Sequence, residues 1–145
     1  MNLLKSKGVA LLGLATLLSI GALGSEGDVD YRHYSMEAIG GHMQAIVKIL
    51  RQEVPHREHL SLHANAIADM ARISPDLFPE GSQGREALPA IWEQPEDFAE
   101  RLDDFHSAAE AFKKAAASGD PAMIGSAMGG LGQSCKDCHD SYREE

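Results

Sequence analysis

The chain has 145 residues, of which 43% are hydrophobic and 24% are charged, and its formal net charge is −9. This length suggests one domain that buries a core without disulfide bonds. The excess of acidic residues argues against nucleic acid or an anionic membrane surface as a partner. It is compatible with docking to a basic protein surface.

Residues 1–24 predict a signal peptide that precedes the folded domain. Lys5 and Lys7 are followed by the apolar run VALLGLATLLSIGALG, whose last residues offer the small side chains that a signal peptidase recognises. We expect cleavage after Gly24 and export to the periplasm. A retained amino-terminal anchor is the alternative, although the run is short for a membrane span. Without the two lysines, residues 25–145 carry 11 basic and 22 acidic side chains and a net charge of −11.

Apolar residues recur at helical spacing from Asp28 onwards, and no run alternates as a half-buried strand does. Four segments share this pattern, and their apolar positions in chain order are Met36, Ile39, Met43, Ile46 and Leu50; Leu60, His63, Ile67 and Met70; Phe98, Leu102, Phe105, Ala109, Phe112 and Ala116; and Ile124, Met128, Leu131, Cys135, Cys138 and Tyr142. Four helices with seven-residue apolar repeats indicate an all-α fold, an antiparallel four-helix bundle.

The helix boundaries predicted from capping residues agree with this periodicity. Pro55 separates the first two helices, and Pro95 begins the third. Gly119 ends the third helix, and Asp120, which precedes a proline, caps the fourth. The one long connection, residues 74–94, is rich in proline and glycine but also carries large apolar side chains, so we expect it to pack on the bundle.

The fourth helix contains the segment CKDCH, with Cys135, Cys138 and His139. A thioredoxin-like redox disulfide needs a strand before this motif, and none is predicted. A structural zinc site needs four ligands, and no second Cys/His pair stands nearby. Covalent attachment of haem uses the two cysteines together with the histidine that follows. An incidental Cys-X-X-Cys is the remaining alternative.

Helical geometry explains this spacing. Side chains three and four residues apart lie one above another on a helix, so Cys135 and Cys138 both reach one edge of a haem to form thioethers. His139 then projects over the ring and offers a nitrogen to the iron. The motif continues the inward apolar stripe of its helix, where a cofactor inside a bundle must lie. The sequence therefore predicts one covalent haem c.

A Cys-X-X-Cys-His motif near the carboxyl end of a four-helix bundle resembles the cytochrome c′ family. The resemblance covers nearly all of residues 25–145 and includes YRHYSM at 31–36, ALPAIW at 87–92 and SCKDCHDSYR at 134–143. It implies one of two functional branches. In the high-spin branch an apolar side chain crowds an open distal iron position that small gases enter, whereas in the low-spin branch a methionine binds the iron and the protein carries electrons.

The resemblance also implies roles for three further residues. Met36 falls at the distal position and is the expected sixth ligand, supported by Met43 seven residues later and by LFPEGS at 77–82, which look like the low-spin branch; an ordinary core methionine is the alternative. Arg32 matches an arginine that contacts a haem propionate, unless it is a solvated arginine at a helix start. Arg143 matches the family's CHxxYR pattern on the proximal side, unless it only complements the helix dipole.

The expected function is that of a periplasmic one-electron carrier with iron bound by His139 and Met36. The alternative is a five-coordinate haem protein that binds nitric oxide or carbon monoxide. An enzyme such as a peroxidase is not expected, because no distal acid–base pair is evident near Met36. The expected partners are redox proteins and small gases at the haem, with no nucleic acid and no membrane after signal cleavage. Family members often dimerise through their first two helices, and a homodimer remains open here.

The other histidines carry weaker signals. His56, His59 and His63 have spacings that place them near one helix face, but no carboxylate or cysteine is identified to complete a metal site, and a solvated face is favoured. His63 also lies on the inward stripe, as a hydrogen-bonded core histidine does. His33, three residues before Met36, is a competing distal ligand. Phe78 and Trp92 are expected to shield the haem or simply to belong to the core.

Overall fold

The computed structural model describes residues 25–144, so the predicted signal peptide, residues 1–24, lies outside the described part. The helices are α1 (Glu26–Leu50), α2 (Leu60–Ile73), α3 (Ala90–Glu93), α4 (Pro95–Ser118) and α5 (Pro121–Tyr142). Short 3-10 turns cover Arg57–His59 and Ser74–Leu77. Among these residues the only β-type pairings are two isolated bridges. The predicted all-α class is confirmed.

The long helices α1, α2, α4 and α5 form the predicted antiparallel four-helix bundle, in which α2 packs against α1 and α4, and α4 packs against α5. Each long helix contributes one large side chain with no exposed surface to the core: Ile46, Ile67, Phe112 and Leu131. These positions belong to the four apolar stripes, so the helical periodicity identified the inward faces correctly. None of the helices in residues 25–144 has the length and apolar character needed to cross a bilayer.

The ends of the helices are determined by local chemistry. Ser25 and Asp28 form a reciprocal capping box at the start of α1, where each side chain accepts a hydrogen bond from the backbone N–H of the other. The α4 helix ends at Gly119, whose φ of 70° is in the left-handed region that favours glycine. The Asp120 carboxylate then accepts hydrogen bonds from the first two free N–H groups of α5. The predicted boundaries of α4 and α5 are confirmed.

The connection between α2 and α4 packs on the bundle, as expected. Leu77, Ser82 and Ile91 are buried, with 1%, 0% and 4% of their surface exposed. The Trp92 Nε1–H donates to the backbone oxygens of Phe78 and Pro79, at 3.3 and 3.2 Å, which folds the two ends of the connection together. The connection therefore forms a wall of the bundle at the end where α1 begins and α5 finishes.

Candidate functional site

A cavity of about 690 Å³ lies at this end of the molecule. Its walls come from α1, α4, α5 and the connection, and the largest groups of lining residues are Arg32, His33, Met36, Glu37, Ile39, Gly40, Met43 and Gln44 of α1, and Gly132, Ser134, Cys135, Cys138, His139 and Tyr142 of α5. Proteins bind cofactors in apolar cavities of roughly 300–1,000 Å³ that carry a few polar groups. The size and the walls of this cavity suit a large planar ligand.

The residues of the CKDCH segment come together in this cavity. Cys135 and Cys138 are half-buried free thiols, and His139 is exposed beside them. Burial raises the pKa of both thiols, and the pKa of Cys138 reaches about 11 because Cys135 adds to the effect. Loss of hydration, followed by the positive charge of Arg143, lowers the pKa of His139 and so favours the neutral imidazole that binds a metal.

Met36 lines the same cavity from α1. Its side chain is half-buried and packs against the main core cluster, as does Met43 two turns later. The structure thus places a thioether from α1 and the imidazole of His139 from α5 in the walls of one cavity. Both the predicted role as an iron ligand and the alternative role as a core methionine are consistent with this position.

Arg32 is buried, with 5% of its surface exposed. Its Nη1 donates to the hydroxyl of Ser82 at 2.9 Å and to the backbone oxygen of Leu77 at 3.3 Å. Its Nη2 donates to the backbone oxygens of Ser82 at 2.8 Å and Gly84 at 3.3 Å. Burial lowers the pKa of this guanidinium. Arg32 therefore holds the connection against α1, a role that was not visible in the sequence.

Two aromatic rings complete the surroundings of this guanidinium. Its central carbon lies 5.3 Å from the ring centre of Phe78 and 5.9 Å from that of Trp92, within the range of cation–π attraction. Phe78 also lines the cavity and meets Phe98 edge to face at 4.8 Å. Among residues 25–144, no carboxylate lies within ion-pair distance of Arg32, so its charge is balanced by carbonyl and ring dipoles.

Arg143 is exposed at the edge of the cavity, directly after α5. The backbone around it is fixed: its N–H donates to the oxygen of His139 at 3.2 Å, Leu88 N–H donates to Tyr142 at 3.1 Å, and Glu144 N–H donates to Glu86 at 2.8 Å. The last two of these bonds tie the end of the helix that carries the cysteines to the connection. They could not be predicted from the sequence because they join residues far apart in the chain.

An imidazole and two carboxylates do lie near Met36, at the edge of the cavity. His33 Nε2 is 3.5 Å from Glu37 Oε1, and His33 Nδ1 is 3.8 Å from Glu86 Oε2. All three side chains line the cavity. The His33–Glu37 spacing of four residues on one helix face was visible in the sequence, but Glu86 arrives from the connection.

One correction concerns the histidines near the start of α2. Pro55 is followed by a 3-10 turn at Arg57–His59, so His56 and His59 do not share an α-helix with His63. Glu58 Oε1 lies 3.8 Å from His56 Nδ1 and 3.6 Å from His59 Nε2, so a carboxylate does complete this group. The expectation that none did was wrong because it assumed α-helical spacing throughout.

His63 is hydrogen-bonded, as expected for a core histidine. Its Nδ1 lies 2.9 Å from Nδ1 of His42, which joins α2 to α1. Burial lowers the pKa of His63, and the neighbouring His42 and then His59 lower it further. His42 carried no sequence signal, because its partner lies on another helix.

The donor set fits a covalently attached haem. Two free thiols three residues apart, with an imidazole at the next position, line an apolar cavity of sufficient size. A zinc site would need further thiol or imidazole ligands around the same point. Within the described residues, the group whose ligand atoms converge closely enough for a metal ion is the one at His56, Glu58 and His59, far along the chain from the cysteines.

Comparison with known proteins agrees with this assignment. A sequence model of the family described as Cytochrome C′ matches residues 28–143. Cytochrome c′ of Pararhodospirillum photometricum is 36% identical over 82% of this chain and 98% of its own length, and cytochrome c-556 of Agrobacterium fabrum is 34% identical over 97% of both. A nitric oxide complex of a cytochrome c′ variant from Alcaligenes xylosoxidans superposes with a TM-score of 0.77, at 25% identity, over 83% of this chain and 96% of that one. The chain belongs to the cytochrome c′ family, whose members bind one covalent haem c.

Proposed function

We propose that the protein is a periplasmic one-electron carrier, exported by a signal peptide at residues 1–24. When bound, the haem supplies an iron that exchanges single electrons. Cys135 and Cys138 hold it by two thioethers, His139 is the proximal ligand and Met36 is the sixth ligand. The observation that carries this proposal is that Met36 and His139, on two different helices, line one cavity.

The chain's own residues support electron transfer in three ways. The backbone hydrogen bonds that join the end of α5 to the connection would limit movement of His139 when the iron changes oxidation state. A soft thioether such as that of Met36 stabilises ferrous iron and raises the potential. The cavity edge near Glu86, His139 and Arg143 is exposed, so an electron can reach a partner without passing through the core.

We assign different roles to the two cavity arginines. Arg143 is exposed and forms no ion pair within residues 25–144, so it is available to a haem propionate. The Nη atoms of Arg32 already donate to the connection, and its principal role is to hold that wall in place. A propionate contact from Arg32, which the family resemblance implies, remains a separate prediction.

The alternative function is five-coordinate binding of nitric oxide or carbon monoxide, with Met36 only restricting access. Two observations favour it: Met36 packs against the core cluster as an ordinary core methionine does, and the relative from Alcaligenes xylosoxidans was solved as a nitric oxide complex. A peroxidase is less consistent with the site. The Glu37 side chain is 62% exposed, so the His33–Glu37 pair lies at a wet rim and not in a water-excluded distal pocket.

The optical spectrum of the haem-loaded protein in both oxidation states, with and without carbon monoxide, separates the two functions. A ferric thioether-to-iron charge-transfer band, sharp ferrous bands and no response to carbon monoxide support the electron carrier. Broad high-spin bands that shift with carbon monoxide contradict it and favour the gas-binding protein. Neither result depends on knowing the redox partner.

The acidic surface suggests redox partners with basic docking faces. A homodimer through the first two helices has some support, because Tyr31 and Tyr34 on α1 and Leu62 on α2 are 58%, 62% and 60% exposed. Light scattering on the eluting protein, before and after Tyr34→Ser, tests this. A mass that is monomeric at every concentration contradicts the dimer.

A further inference from the structure

A group of potential metal ligands lies away from the haem cavity, in the connection that leads into α2. One ligand atom from each of His56, Glu58 and His59 lies within 4.8 Å of the others. All three side chains are exposed, at 52%, 67% and 53%. The haem-bearing function does not use any of them, and they are the only group of this kind found within residues 25–144.

The backbone brings the two imidazoles together. The His59 N–H donates to the backbone oxygen of His56 at 3.0 Å, which closes the 3-10 turn that follows Pro55. Residues three apart eclipse one another in a 3-10 turn, so the rings of His56 and His59 stack, with centres 5.0 Å apart and planes 14° apart. Proline restricts the chain just before the turn. The turn therefore holds the two imidazoles near each other before any ligand arrives, and metal binding needs one ring to turn out of the stack so that both nitrogens face one ion.

We propose that His56, Glu58 and His59 bind one divalent transition-metal ion, of the Zn²⁺ or Cu²⁺ class. Two imidazoles and one carboxylate are a ligand set that these ions accept, and water fills the remaining position. Metal–ligand bonds of about 2.0–2.2 Å place neighbouring ligand atoms about 3.3–3.5 Å apart in a tetrahedral site. The separations from Glu58 Oε1, 3.8 Å to His56 and 3.6 Å to His59, are a few tenths of an ångström longer than this. Ligand atoms of the two histidines lie within 4.8 Å of each other, so they must approach by up to about 1.5 Å, which exposed side chains achieve by rotation.

The charges near the group do not oppose a cation. Arg57 lies between the ligands in the sequence, but its Nη2 donates to the backbone oxygen of Gly119 at 3.4 Å, so its charge is directed towards the turn between α4 and α5. The whole chain carries a net charge of −9, which attracts cations.

The site is separate from the haem. Met36 precedes Leu50 by fourteen residues of α1, which corresponds to about 21 Å along the helix axis. The metal-binding residues follow beyond that end. Binding of a metal there is expected to leave the haem bands unchanged, which gives the test an internal control.

The test uses the haem-loaded protein, purified without a histidine tag and treated with a chelator. ZnCl₂ is titrated in competition with a zinc indicator dye, and CuCl₂ is followed by electron paramagnetic resonance. We expect one saturable equivalent, with nitrogen couplings from two imidazoles in the Cu²⁺ spectrum. His56→Ala and His59→Ala should each lower the affinity by at least about tenfold. Glu58→Gln should lower it as well, while both stacked histidines remain.

Matched histidine variants make the outcome decisive. His106→Ala, on α4, removes a histidine outside the group, and His63→Ala removes one member of the His42–His63 pair. Retention of the metal in both supports the proposal. The proposal is wrong if no saturable binding is seen up to millimolar Zn²⁺, if the three ligand variants bind as the parent does, or if binding is lost with His63→Ala while the ligand variants retain it.

Discussion

Tyr142 donates its hydroxyl hydrogen to the carboxylate of Asp97, which joins the last turn of α5 to the first turn of α4 beneath the haem cavity. Asp97 also forms an ion pair with Arg101, whose Nη2 lies 3.5 Å from Asp97 Oδ1. Tyr142 is buried and stands edge to face with Phe98 at 5.0 Å. The hydrogen bond and the ring contact hold the end of α5, the helix that carries Cys138 and His139, against α4.

Removal of this hydrogen bond is expected to destabilise the protein without preventing haem attachment. Tyr142→Phe keeps the ring that packs on Phe98 but loses a hydrogen bond to a charged group, which is worth about 1.5–3 kcal/mol. The measurement is guanidinium unfolding of the haem-loaded protein, followed by circular dichroism. Asp103→Asn, which changes an exposed carboxylate on the same helix, is the control. Equal free energies of unfolding for Tyr142→Phe and the parent would show that the bond contributes nothing.

The same hydrogen bond predicts a dependence on alkaline pH. The Asp97 carboxylate raises the pKa of Tyr142 to about 12, above the value of roughly 10 for an unfolded tyrosine. A group whose pKa is raised on folding stabilises the folded state below the unfolded pKa, and this contribution is lost as the pH rises through the folded pKa. The difference in unfolding free energy between the parent and Tyr142→Phe should therefore be constant below pH 10 and shrink between pH 10 and 12. A constant difference across that interval contradicts the assignment.

Arg32 is expected to be the residue whose loss most disturbs the connection. Arg32→Ala leaves the Ser82 hydroxyl and several backbone oxygens buried without donors, at about 1–3 kcal/mol for each such group, partly relieved by entering water. We expect a loss of at least about 2 kcal/mol in unfolding free energy. Arg72→Ala, which removes an exposed arginine paired with Asp69, is the control and should change it by less than about 1 kcal/mol.

The haem itself gives a second measurement on Arg32. If the guanidinium also contacts a propionate, Arg32→Lys shifts the midpoint potential and its pH dependence. If it only holds the connection, the potential follows the parent while stability falls. A variant with parental stability would contradict the structural role.

The helices could be predicted from the sequence because their causes are local. The apolar stripe that ends in Phe112 and Ala116 determines the inward face of α4. Gly119 ends α4 and Asp120 begins α5, and neither residue needs a distant partner to do so. The buried connection was predicted for a similar reason, since its apolar side chains must leave water. In each case the information lies within about ten residues of the feature.

The same distinction between local and distant causes separates the parts of the candidate site that could be predicted from those that could not. The cysteines and His139 could be placed on one cavity because they share a helix, whereas the oxygens that accept hydrogen bonds from Arg32 lie 45 to 52 residues away in the chain. The group of His56, Glu58 and His59 was not predicted because a 3-10 turn at Arg57–His59 replaces the α-helix that was assumed there. The roles of Met36, Arg32 and Arg143 towards the haem, and the signal peptide, stay predictions.

The pair of His42 and His63 predicts a dependence on acidic pH. The pKa of His63 is lowered, first by burial, so the unfolded state binds its proton at a higher pH than the folded state. The stabilising contribution of neutral His63 is therefore present above the unfolded pKa of about 6.5 and is lost as the pH falls through the lowered folded pKa. Unfolding free energy should fall between pH 7.5 and 5.5, and less steeply in His63→Gln. Identical slopes in the parent and in His63→Gln would contradict the prediction.

Two methionines of α1 offer a matched test of iron ligation. Met36 and Met43 both line the cavity and both pack on the same core cluster, but only Met36 occupies the position that the family resemblance assigns to the distal side. Each methionine-to-leucine change keeps the volume of the side chain and removes the sulfur, so packing is disturbed little, at less than about 1.5 kcal/mol. If Met36 binds the iron, Met36→Leu loses the thioether charge-transfer band, gains binding of carbon monoxide and has a changed midpoint potential, while Met43→Leu keeps the parental spectrum. If both variants match a parent that already binds carbon monoxide, Met36 is a core residue and the five-coordinate alternative is correct. If only Met43→Leu loses the band, the sixth ligand is Met43, two turns further along α1.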